Sequence, residues 1–184
     1  MFEGWDNFYL LIGGAAGSLI GLLFIVATLF SGRDRTRMLR AAAVYTTPTV
    51  FNLSVVLVLS AMALAPGLKS GFVGAALAAA GLIGLAHGVT VIWRFRWLNA
   101  NEKPHWSDAW CYCAGPVAAH VGLLSCAALA WFDAHAAPLA LAVVLMIMLL
   151  LAIRNAWDLV TWMAPVRGAG EELSTTPPAD YPAS

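Results

Sequence analysis

The sequence predicts an all-α membrane protein, an antiparallel bundle of five transmembrane helices, and three observations carry that expectation. The first is composition. Of the 184 residues 61% are apolar and only 11% are charged, where a soluble domain carries about a quarter charged residues. With a mean hydropathy of +0.78, the chain lacks the polar surface that would hold a globule in water. The second is distribution: five apolar stretches each approach the ~20 residues that a helix needs to cross a bilayer core. The third is pattern. None of these stretches alternates with period two, so they read as helices and not as barrel strands.

Taken in order, the first span is Phe8–Phe30, "FYLLIGGAAGSLIGLLFIVATLF". The "MFEGWDN" before it is acidic where a secretory signal is basic, and the run is long for a signal core, so the expectation is a span that stays. Gly13, Gly17 and Gly21 recur every four residues, with Gly14 and Ser18 as a second small row. Such residues let helix backbones approach closely in lipid, either within one bundle or between chains. The second span, Ala41–Leu64, contains "YTTPTVFNLS". Pro48 withholds a backbone N–H there, and Thr47, Thr49 or Asn52 are the side chains placed to satisfy the freed carbonyl or to line a polar path. The third span, Phe72–Arg94, carries Gly74, Gly81, Gly84 and Gly88 around His87. The fourth, Asp108–Trp131, has "HWSDAWCYC" at its inner end and holds His120. The fifth is Pro138–Thr161, ending in "LLLAIRNAWDLVT". Residues 1–163 thus form the membrane domain, and 164–184, rich in Pro, Ala and Ser, reads as a disordered cytoplasmic tail.

Charge sets the expected direction. Arg33, Arg35, Arg37 and Arg40 follow span one; Arg94, Arg96 and Lys103 follow span three; Arg167 lies in the tail. The opposite side offers Lys69 beside Glu3, Asp6 and Asp133. Positive loops stay inside, which puts the N-terminus outside and the C-terminus in the cytoplasm. Tryptophans mark the same boundaries: Trp5 and Trp131 outside, Trp93, Trp97, Trp106, Trp110, Trp157 and Trp162 inside.

Ionisable residues within spans are functional candidates, because lipid makes them costly. His87 and His120 fall at similar depth in adjacent antiparallel spans, within about 5 Å at 1.5 Å per residue. Two imidazoles so placed are candidates to ligate b-type haem or a metal, with Gly84 and Gly88 leaving room for a macrocycle. Proton relay and plain interhelical pairing are the other readings. His105, Cys111 and Cys113 form a weaker metal candidate, a single CxC motif without the second pair that a structural zinc site usually has. The three cysteines make no disulfide framework. Near the inner end of span five, Arg154 and Asp158 stand one turn apart around Asn155. An arginine preceding its aspartate is the less favourable order within one helix. An interhelical clamp through Arg94 or Arg96 is therefore the preferred expectation, beside plain anchoring and a permeant-ion site.

The motif "FYLLIGGAAGSLIGLLF", with Phe8, Tyr9, Gly13, Gly14, Ala16, Gly17, Gly21, Leu22, Leu23 and Phe24, and the later Asn155, Ala156, Trp157 and Asp158, resemble a group of small bacterial integral membrane proteins without an assigned activity. The likeness covers the two ends of the chain and implies a bacterial plasma (inner) membrane, with no chemistry attached. No GxSxG elbow, HExxH helix, P-loop or dinucleotide fingerprint occurs in the chain. The expectation is a non-enzymatic, homo-oligomeric channel-like or membrane-organising assembly, the alternative a haem- or metal-binding redox subunit using His87 and His120. Expected partners are lipid, further copies of the chain and other membrane subunits of a larger complex, not nucleic acid. Orientation is directly testable. Alkaline phosphatase, active only outside the cytoplasm, should be active when fused after Lys69 and inactive when fused after Ser184; the reverse result would invert the threading.

Overall fold

The structure, a computed structural model, describes residues 1–29, 47–98, 110–133 and 135–163. Among the described residues every regular element is a helix: α1 (Asp6–Leu29), α2 (Thr47–Leu64), α3 (Ser70–Leu98), α4 (Gly115–Phe132) and α5 (Ala137–Met163), with a π-helical turn, Trp110–Ala114, leading into α4. Five helices, counting that turn with α4, are long and apolar enough to cross a membrane. Leu10, Leu11, Phe24, Val58, Phe72 and Leu150 lie on their outer surfaces. Helices apolar all round suit a bilayer, where such side chains meet acyl tails. Outside the described residues lie Arg33, Arg35, Arg37, Arg40, Lys103, His105, Trp106, Asp108 and Arg167, the expected start of span two at 41–46, and the tail 164–184.

The helices group as two pairs around a fifth. α1 packs on α2, α3 packs on α4, and α5 packs against α1, α2 and α4, while α2 and α3 touch sparsely. Pro66 and Gly67 turn the chain between the pairs, and Gly67 takes φ +72°, open to glycine without strain.

Glycine sets how closely the α3–α4 pair approaches. The Trp131 indole covers Gly74, Leu124 covers Gly81, the His120 ring covers Gly84, and Val117 covers Gly88. These contacts descend α3 as they climb α4 in reverse, so the two helices run antiparallel in one register. α5 nests against α4 in the same manner: a Cβ on Gly122 would stand 3.0 Å from Val144 Cγ2, and one on Gly115 would stand 3.1 Å from Leu151 Cδ1.

The α1 row divides. Gly13 is buried with its Cβ position 3.0 Å from Ser60 Cβ, Gly17 makes ordinary contact with Leu57, and Gly21 faces open space. A four-residue step overshoots one turn of 3.6 by about 40°, so the row winds from the α2 interface to the outside. It does not form one seam. The core between the pairs is filled by Leu53, Val56, Leu77, Leu123, Leu141 and Leu145, all fully buried.

Overpacking the tightest register should be costly. A Cβ on Gly81 would lie 2.7 Å from Leu124 Cδ2 and 3.1 Å from the His120 carbonyl. Gly81→Leu should therefore lose about 1–3 kcal/mol, read as a fall in melting temperature in mild detergent. An unchanged melting point would mean that α3 and α4 do not pack in this register.

Candidate functional site

The α3–α4 contact carries a cluster of three rings. Pro116, in the first turn of α4, shapes the backbone one turn before His120. The His120 imidazole is 2% exposed, and its Nδ1–H donates to the Pro116 carbonyl oxygen at 2.7 Å. That bond fixes the neutral tautomer and leaves Nε2 as a bare acceptor. Nε2 is buried and has no partner among the described residues. The ring occupies the volume that a Gly84 side chain would need. On α3, one turn beyond Gly84, His87 also buries its Nε2, which has no partner among the described residues. Phe51 of α2 lies against both, its ring centre 4.4 Å from that of His87 at 33° and 6.1 Å from that of His120 at 26°.

The structure thus brings His87 and His120 to one place, as their depth implied. It fills the room expected for a macrocycle: Gly84 is covered by His120 and Gly88 by Val117. From Phe51 an almost wholly apolar groove of about 320 Å³ runs between α2 and α3, lined by Val55, Val58, Met62, Ala76, Ala80 and Ile83 among others. Ser54 also lines it, but its hydroxyl donates to the Val50 carbonyl of its own helix at 2.9 Å.

The charges of α5 pair differently from the expected clamp. Arg154 Nη1 donates to Asp158 Oδ2 at 2.7 Å within α5, with side chains 40% and 36% exposed. The Thr161 hydroxyl donates to the Trp157 carbonyl of the same helix at 3.1 Å. The interhelical bond belongs instead to Asn155, 3% exposed, whose Nδ2 donates to the Cys111 carbonyl at 3.1 Å. The buried Tyr112 hydroxyl returns a bond to the Asn155 carbonyl at 3.2 Å. The backbone explains why that carbonyl needs a donor. In a π-turn each N–H bonds five residues back, so the N–H owed to Cys111 would be that of residue 116, which is proline. Asn155 supplies the missing donor.

A second lock sits at the other end of α5 and was not singled out from sequence. Tyr9, fully buried on α1, donates its hydroxyl to the Pro138 carbonyl at 2.7 Å. The two locks stand about 25 Å apart along α5 at 1.5 Å per residue.

The remaining candidates are scattered. Pro48 lies in the first described turn of α2, where a missing N–H breaks no helix bond among the described residues. Thr47 is exposed there and Thr49 buried. Asn52 is buried, and its Oδ1 has no partner among the described residues. Cys111 is buried and Cys113 half-buried, both as free thiols. Among the described residues no group of three or more His, Cys, Asp or Glu is placed to hold a metal ion, and His105 lies outside them. Compared with known proteins, the chain matches no protein-family model, no curated protein and no solved structure.

The two polar features of α5 should separate in thermal denaturation. Asn155→Ala strands the Cys111 carbonyl and should cost up to about 1.7 kcal/mol, the upper range for interhelical bonds in membranes. Asp158→Asn, at a half-exposed pair within one helix, should cost about 0.5 kcal/mol or less. Equal losses would restore the charged pair to a clamping role.

Proposed function

We propose that the protein acts without catalysis, as a homo-oligomeric membrane-organising assembly of the bacterial plasma membrane, threaded with its N-terminus outside. The observation that carries this reading is the outer face of α1. Gly13 and Ala16 turn inward, and Gly14, Ser18 and Gly21 remain exposed at helical spacing. A Cβ at Gly14 or Gly21 would meet nothing within 4 Å. The Ser18 hydroxyl bonds the Gly14 carbonyl behind it at 2.9 Å, keeping the strip flat. In lipid a flat strip of this kind lets a second backbone approach closely, with van der Waals and weak Cα–H···O contacts as the driving force. The polar interior supports the same reading, since Tyr9, Tyr112 and Asn155 join helices to one another. The channel-like variant of the assembly would place its path between chains.

Haem or metal ligation by His87 and His120 is the weaker reading, because the space beside Gly84 and Gly88 is filled by protein. An absorption spectrum of the purified protein tests it: a Soret band lost in His87→Ala would favour a haem subunit.

Self-association is tested by native mass in mild detergent. Gly14→Leu with Gly21→Leu adds bulk only to the outer strip and should reduce a multimer to monomer while leaving the stability of the fold within about 0.5 kcal/mol of the parent's. A monomeric wild type would overturn the proposal, and an unchanged multimer would move the interface elsewhere.

A further inference from the structure

We propose that the groove between α2 and α3 is a binding site for a single-chain amphiphile with a hydroxyl head. The tail lies in the groove, and the hydroxyl is bonded by the imidazoles of His87 and His120. The site is independent of self-association.

The groove is the seam where the two helix pairs meet only sparsely. Its volume of about 320 Å³ falls within the range of about 300–1,000 Å³ common to small-molecule sites. From Phe51 to Met62 it follows about 16 Å of α2 at 1.5 Å per residue, the length of an alkyl chain. Alanines at 76 and 80 on α3 create the space, and Val58 and Ile83 on its walls are 62% and 59% exposed. In a bilayer such walls face acyl chains, so an occupant enters sideways from lipid.

The Phe51 end of the groove sets the head group. Phe51 forms part of the groove, and its ring also lies against those of His87 and His120, whose Nε2 atoms are buried and have no partner among the described residues. An unpaired polar atom in such surroundings carries a desolvation cost that a ligand can relieve. His120 Nε2 is an acceptor, because Nδ1 holds its proton on the Pro116 carbonyl. Neutral His87 in its Nε2–H tautomer supplies the matching donor. A hydroxyl donates once and accepts at the same atom, satisfying both nitrogens. A ketone or ether can pair only with His87. A charged head would enter mid-membrane without a counter-charge, at high cost. Swinging of the Phe51 ring admits the head.

The experiment photolabels the full-length protein in nanodiscs with a long-chain alcohol bearing an aliphatic diazirine, and maps the adducts by mass spectrometry. Adducts are expected on groove residues such as Met62 and Ile83. 1-Dodecanol should compete about tenfold better than dodecane, the factor for one hydrogen bond of ordinary strength. Ala80→Leu fills the groove without touching either histidine and should abolish the adducts. His87→Leu should keep them and reduce, without erasing, the preference for alcohol over alkane, because His120 Nε2 still accepts the hydroxyl proton. Equal competition by dodecane in the wild type, or labelling unmoved by Ala80→Leu, would overturn the proposal. So would copper or zinc held by the wild type, lost in His87→Leu and accompanied by no alcohol preference, which would assign the imidazoles to a metal.

Discussion

The His120 ring lies where a Gly84 side chain would stand, so the approach of α3 to α4 depends on a missing Cβ. That single exclusion propagates. It fixes the antiparallel register in which Leu124 covers Gly81 and Val117 covers Gly88. It holds the imidazole within reach of the Pro116 carbonyl, which decides the position of its proton. It also presents the ring to Phe51 on the neighbouring pair. Close packing in lipid has no hydrophobic drive of its own, so contact area and hydrogen bonds must supply it. A larger residue at position 84 would separate the helices and remove both.

A second dependence runs through α5. Every backbone carbonyl in the bilayer needs a donor, and the π-turn before Pro116 leaves that of Cys111 without one. Asn155 satisfies it from a different helix, so a local irregularity becomes a tertiary bond. Tyr9 does likewise at the opposite end, reaching across 129 residues to the Pro138 carbonyl. Trp131, read from sequence as a boundary marker, also packs over Gly74 and donates to the Gly71 carbonyl at 3.3 Å.

Much of the architecture was legible in the residues. Apolar runs of sufficient length give five helices, and where the expected ends fall among the described residues they differ from the observed ones by a few residues, where amphipathic side chains such as Trp97 tolerate either environment. The small residues of α3 were visible as small. Their partners were not, because spacing along one helix says nothing about which helix faces it. Charge misdirected the reading of α5: Arg154 and Asp158 drew attention, whereas the interhelical bond is made by neutral Asn155 between them. The signal that would have found it was Pro116, which withholds an N–H just after "WCYC" and so requires a donor from elsewhere. Tyr9 carried no comparable signal, since a tyrosine near a span end is equally well an interfacial anchor.

The pairing of the helices bears on how the protein is made. α1 with α2, and α3 with α4, are neighbours in sequence joined as hairpins, and each pair can form as it leaves the ribosome. The two pairs share little surface of their own, and α5, synthesised after them, makes the contacts that unite them. Until it arrives, the nascent chain is two half-assemblies in the same membrane, with the hydroxyl of Tyr9 and the carbonyl of Cys111 waiting for partners on a helix not yet inserted. A chain truncated before Ala137 would keep four spans and lose the element that makes them one body.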